Sequence, residues 1–186
     1  MRYKKTVLPL LLIMGSGRLA AAQVPQKAAA KLNANSVYFV DSVRLENQAA
    51  LMRYEASTIA AVTIYTGPEA VALLGESGRN GAAYAETIPF AQRRYWRYFR
   101  HKSAEYAALV PVPAADSAVQ YVLNGKPIVE EAAGNLSSID DATFKSLRVV
   151  DAKTLATRYG ITTNKPGVLV ESGVPKSLYH GKKKFK

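Results

Sequence analysis

Hydrophobic and polar positions follow one order along the chain and then follow it again. Val37-Tyr38-Phe39-Val40 is β-branched and aromatic and stops at Asp41-Ser42, which predicts a strand. After a polar stretch, Ile59-Ala60-Ala61-Val62-Thr63-Ile64-Tyr65 sets Val62 and Ile64 against Thr63 and Tyr65, a second strand. The period then changes. Thr66-Gly67-Pro68-Glu69 has the composition of a capping box with Pro68 in the first turn, residues 70 to 74 continue the helix, and Gly75 offers the positive φ that ends it. Beyond the glycine-rich residues 75 to 81, residues 82 to 85 predict a third short strand.

The second half repeats this order. Residues 119 to 123 predict a strand running into the tight-turn pair Asn124-Gly125, with Lys126-Pro127-Ile128 beyond it. Ser138 or Asp140 is placed to cap a short helix through residues 141 to 145. Leu147-Arg148-Val149-Val150 predicts a strand, Asp151 a cap, residues 152 to 159 a helix, Gly160 its stop, and Val168-Leu169-Val170 the closing strand. Sliding residues 59 to 87 by 85 positions lays strand on strand, helix on helix and Gly75 on Gly160, a duplication carried by order and period, with identity only at Gly75/Gly160 and Glu86/Glu171.

Composition narrows what such a chain does. With 186 residues, 48% hydrophobic and 21% charged, it is globular and supports one good core or two small ones, not a large multidomain enzyme. The absence of cysteine removes disulfides, thiolate nucleophiles, cysteine-bound zinc and iron–sulfur clusters together. The first 22 residues have a cationic start, an apolar run too short to span a bilayer, and small residues at Ala20 and Ala22, the three zones of a secretory signal cut before Gln23. Setting those residues aside lowers the net charge from +11 to +7. Residues 91 to 102 and 173 to 186 together carry +10, which leaves −3 for the rest and argues against a uniformly basic nucleic-acid binder.

The run from Ile59 to Ala70, followed by Leu74-Gly75-Glu76-Ser77-Gly78-Arg79-Asn80-Gly81-Ala82, resembles the plug domain of TonB-dependent outer-membrane receptors. In that family a strand ending in a Lys-Gly-Pro-like turn leads to a short helix, a glycine-spaced loop and a strand. Here the glycine spacing at 75, 78 and 81 is kept, with Leu74 where tyrosine is usual. Tyr121-Val122-Leu123-Asn124-Gly125, the segment from Ile139 to Ala152, and Tyr159-Gly160 resemble the same pattern, with a loop one residue longer and no middle glycine. The resemblance covers about 50 residues in each half and implies periplasmic, sheet-based, non-catalytic domains. No barrel-length set of strands follows and no TonB-contact segment stands near the mature N-terminus, so transport through a pore of its own is not implied.

Other candidate chemistry is sparse. The glycine loop around Arg79 has the spacing of a phosphate cradle, but it leaves a helix and enters a strand, the reverse of the dinucleotide and P-loop order, so a tight reversal needing positive φ competes with anion binding. His101 lies in a basic stretch and His180 in a lysine-rich tail, neither with a carboxylate nearby in sequence. Glu130-Glu131 and Asp140-Asp141 are adjacent pairs whose side chains point apart, suited to capping and solvation, and no His/carboxylate box has metal-ligand spacing.

The segment between the halves stands out. Residues 90 to 109 mix Arg93, Arg94, Arg97 and Arg100 with aromatics before Val110-Pro111-Val112-Pro113 ends the run. As a helix it places Trp96, Phe99, Tyr106 and Leu109 near one stripe flanked by Arg93, Arg97 and Arg100. Such a helix packs on a sheet with its guanidiniums in water, meets an anionic membrane or a partner, or stacks on nucleobases, the last disfavoured by export.

Together these observations describe an α+β protein of two small plug-like ββαβ units, residues 36 to 88 and 119 to 172, bridged by an amphipathic helix in the linker 89 to 118. A signal peptide (1 to 22) and flexible leader (23 to 35) precede them, and a basic tail (173 to 186) follows. The expected role is an exported, non-enzymatic interaction module of the periplasm or the outer-membrane inner face, with an envelope protein as partner and no cofactor, metal or catalytic residue. The alternative is a peripheral binder of anionic lipid or polysaccharide, and a small hydrolase whose site assembles only in space is a weaker one. Contacts would fall to Arg93, Arg94, Trp96, Arg97, Tyr98 and Arg100 in the linker and to Lys182, Lys183 and Lys184 in the tail.

Overall fold

A computed structural model describes residues 32–130 and 132–173. The expected signal segment, nearly all of the leader, Glu131 and the basic tail after Gly173, with Lys182, Lys183 and Lys184, lie outside the described residues. The elements in chain order are β1 (Val37–Val40), β2 (Val43–Arg44), α1 (Gln48–Leu51), β3 (Ile59–Tyr65), α2 (Pro68–Leu74), β4 (Ala82–Thr87), α3 (Ile88–Lys102), α4 (Ala104–Leu109), β5 (Gln120–Leu123), β6 (Lys126–Pro127), α5 (Ala132–Ser137), β7 (Phe144–Val150), α6 (Ala152–Tyr159) and β8 (Gly167–Ser172). Among the described residues no helix is long and apolar enough to cross a membrane.

The strands form two four-stranded mixed sheets of the same topology, ordered β2-β1-β4-β3 and β6-β5-β8-β7. In each, the first strand makes an antiparallel hairpin, runs parallel to the last strand, and the last pairs antiparallel with the edge strand. The registers repeat as well: Val62 opposes Ala85 as Leu147 opposes Val170, and an irregularity falls between Ile59 and Ala61 as it does between Phe144 and Ser146. A cross-tie recurs too. Asp41, in the first hairpin turn, accepts from the Thr87 N–H at 2.8 Å, and Asn124, in the second, accepts from the Ser172 N–H at 2.9 Å, so each turn is pinned to the end of its closing strand. The fold is thus α+β, two small units bridged by the amphipathic helix α3.

Local chemistry explains most boundaries. Asn124 and Gly125 both have positive φ (50° and 77°), the geometry of a two-residue hairpin. Asp151 caps α6 by accepting from the Thr154 N–H at 2.8 Å, and Gly160 ends it in the left-handed region at φ 67°. Gly75 likewise ends α2 with φ 61°. Gly78 serves a different need: a Cβ there would meet the Ala70 carbonyl, so the chain closes on itself through contact rather than dihedral.

Three expectations are corrected. Thr66 forms no capping box, because Gly67 is the N-cap of α2 and no side chain caps it. The helix expected at 141 to 145 is absent, because Asp140 Oδ1 accepts from the N–H groups of Ala142 and Thr143 and closes a local turn that leads directly into β7. The helix before β7 is instead α5, whose Ala-Ala-Gly-Asn start carries no apolar stripe. The stretch read only as polar between the first two strands holds β2 and α1.

The second sheet is covered on both faces. Tyr121, Val168 and Val170 pack with Tyr95, Phe99, Tyr106, Val110, Leu136 and Ile139 from α3, α4, α5 and their connections. Val122 and Leu169, of opposite parity, pack with Leu155 of α6. The first sheet buries small side chains, Ala82, Ala83 and Ala85, and α5 of the second unit reaches its edge strand β3 at Ala60.

Candidate functional site

α3 is fixed at both ends. Thr87 caps its start, accepting from the Phe90 N–H at 3.4 Å, and Ser103 ends it while accepting from the Tyr106 N–H at 3.1 Å to start α4. Its buried positions are Ala91, Tyr95 and Phe99, one helical stripe. The stripe expected through Trp96, Phe99, Tyr106 and Leu109 is therefore corrected: it centres on Tyr95, and the break at Ser103 places Tyr106 and Leu109 on a separate helix.

The linker residues singled out from sequence divide into two groups. Arg94 is not a free cation. Its Nη2 donates to Glu86 Oε2 at 2.9 Å and its Nε lies 2.9 Å from Oε1 but out of line for a hydrogen bond, so it neutralises a carboxylate that β4 buries. Trp96 is half-buried and donates from Nε1 to the Val110 carbonyl at 2.9 Å, with the Arg100 guanidinium 4.6 Å above its ring. Tyr98 donates to Asp141 Oδ1 at 3.0 Å and meets the Phe144 ring edge-on, while Lys102 Nζ lies 2.6 Å from the same carboxylate oxygen. Those two partners hold the exposed Asp141 carboxyl below its usual range, the Lys102 hydrogen bond first.

Arg93, Arg97 and Arg100 form the second group. All three are exposed, at helical spacing along one side of α3, and none has a carboxylate at salt-bridge distance among the described residues. His101 is also exposed at this end of the helix.

Sequence reasoning missed the most connected polar cluster. Asp116, buried in the turn Pro113–Ala118, accepts from Tyr95 at 2.5 Å through Oδ2 and from Tyr106 at 3.3 Å and Tyr121 through Oδ1; Tyr106 and Tyr121 hydroxyls also lie 2.9 Å apart. Burial, followed for Tyr95 by the Asp116 hydrogen bond, raises all three phenols far above the ordinary tyrosine range. The four groups satisfy one another and tie α3, α4 and β5 together. Their positions, 95, 106, 116 and 121, fall on four elements, so no single period displays them.

In the glycine loop, Arg79 pairs with Glu76 and Ser77 donates to the Leu74 carbonyl at 2.7 Å. Among the described residues no group of three or more His, Asp and Glu side chains is placed to hold a metal ion. No family model matches the chain, and no match is found among curated proteins or solved structures.

Proposed function

We propose that the protein is an exported, non-enzymatic interaction module of the periplasm or the outer-membrane inner face, built on two plug-like units. One observation carries the reading: the strand, turn, helix, glycine and strand order that resembles a plug domain occurs twice, with the same sheet order and register. The buried ionisable groups support it, because Asp116 and Glu86 are engaged by tyrosines and by Arg94, leaving the exposed surface to carry recognition. Photo-crosslinkers placed at Arg93 and Arg97 in intact cells test it. Capture of an envelope protein that is lost with the crosslinker moved to Thr157 of α6 supports the reading, and an equal pattern from all three positions contradicts it.

A second reading, a peripheral binder of an anionic lipid surface, is favoured by the exposed row Arg93, Arg97 and Arg100, which has no carboxylate at salt-bridge distance among the described residues. Co-sedimentation with anionic vesicles that falls steeply as salt rises supports it, and salt-insensitive or absent sedimentation discards it.

A further inference from the structure

The strands β3 and β7 are equivalent by the internal repeat, yet among the described residues the main chain at their outer edges is met differently. In β3 the bulge residue Ala60 turns its carbonyl out against Gly134 of α5. The corresponding position in β7 is Lys145, which is exposed. Main-chain direction follows from the ladder. Gln120 and Asn124 donate to the carbonyls of Pro166 and Val170 at 2.9 Å, so the intervening residues Gly167, Leu169 and Glu171 serve β7, opposite Val150, Arg148 and Ser146. The same alternation, regular from Ser146 onward, points the N–H and C=O groups of Leu147 and Val149 away from the sheet, where no hydrogen-bond partner is found among the described residues.

Charge selects the occupant. Lys145 and Arg148 are both exposed and make no ion pair among the described residues, whereas β3 has Ala60 and Thr63 at those positions. Two β7 edges paired between copies would bring cations together, and the segment 173 to 186 carries five lysines and no acid, so neither a second copy nor the chain's own tail suits this edge. We propose that β7 docks an extended acidic segment of a partner protein, which adds as a fifth strand to the second sheet. Main-chain pairing gives the attachment, and Lys145 and Arg148 select acidic side chains. The proposal rests on the interaction-module reading only for the existence of a natural partner, and a synthetic strand tests the edge by itself.

The probe is an end-blocked peptide alternating glutamate and valine, titrated into the full chain while amide shifts and hydrogen exchange are followed by NMR. Protection of the Leu147 and Val149 amides is expected, with binding weakened about tenfold or more by Lys145→Glu combined with Arg148→Glu. A lysine–valine peptide should prefer that variant. A glutamate–valine peptide N-methylated on alternate amides keeps its charge and loses its pairing edge, so it should bind far more weakly to the unaltered protein. Equal binding by the methylated peptide, perturbation confined to Arg93, Arg97 and Arg100, or self-association that the double substitution does not change would each overturn the proposal. The methylated-peptide comparison needs no variant and decides the matter even if the double substitution fails to fold. Peptide binding with no envelope crosslink would leave the edge standing and remove the interaction-module reading.

Discussion

Gly134 of α5 lies against the main-chain carbonyl of Ala60 in β3, so near that a Cβ at 134 would stand well under 3.0 Å from the oxygen. The helix belongs to the second unit and the strand to the first, so this contact joins backbone to backbone across the repeat. Exposed helical glycine normally gains about 1 kcal/mol on replacement by alanine. Here the facing atom cannot swing aside as a flexible side chain would, so Gly134→Ala should instead destabilise by about 1–3 kcal/mol in urea unfolding. A neutral or stabilising result would mean that the two units are not clamped at this point.

The tyrosine cluster sets the alkaline limit of stability. A phenol whose folded pKa is raised contributes stability that is fully present below its unfolded value of 10.0 and is lost as pH climbs from there toward the folded value. Stability should therefore fall above about pH 10, with phenolate absorbance from Tyr95, Tyr106 and Tyr121 appearing together with unfolding rather than before it. Tyr121→Phe removes one donor from Asp116 and should cost about 1–3 kcal/mol at neutral pH. Phenolate absorbance from all tyrosines at ordinary pKa, in a chain that stays folded, would contradict the arrangement.

Neighbouring arginines should behave differently. Arg94→Gln leaves Glu86, whose side chain is 6% exposed, without its guanidinium, and should cost about 2 kcal/mol, less than a wholly buried pair because Arg94 itself is 42% exposed. Arg97→Gln should stay within about 0.5 kcal/mol of the unaltered protein. Thermal melts of the two variants side by side check this, and equal losses would show that α3 does not sort its arginines as described.

Legibility in the sequence tracks how local the determining interaction is. β3 is read with its bounds because Val62 and Ile64 alternate with polar neighbours, and α6 because Asp151 and Gly160 bracket it within one segment. The duplication is readable in order and period, but its register and the Asp41 and Asn124 ties are long-range. α5 escapes because Ala132-Ala133-Gly134-Asn135 has no apolar stripe and is held by α3, the core and β3. At α3 the helix and its flanking arginines are legible, whereas the choice of Tyr95 over Trp96 as the buried position depends on Asp116, distant in sequence.

The central claim, an exported interaction module, is tested most directly by intact mass of the protein recovered from fractionated cells. A species beginning at Gln23 in the periplasmic or outer-membrane fraction is the predicted result. A species retaining residues 1 to 22 and confined to the cytosol would contradict it.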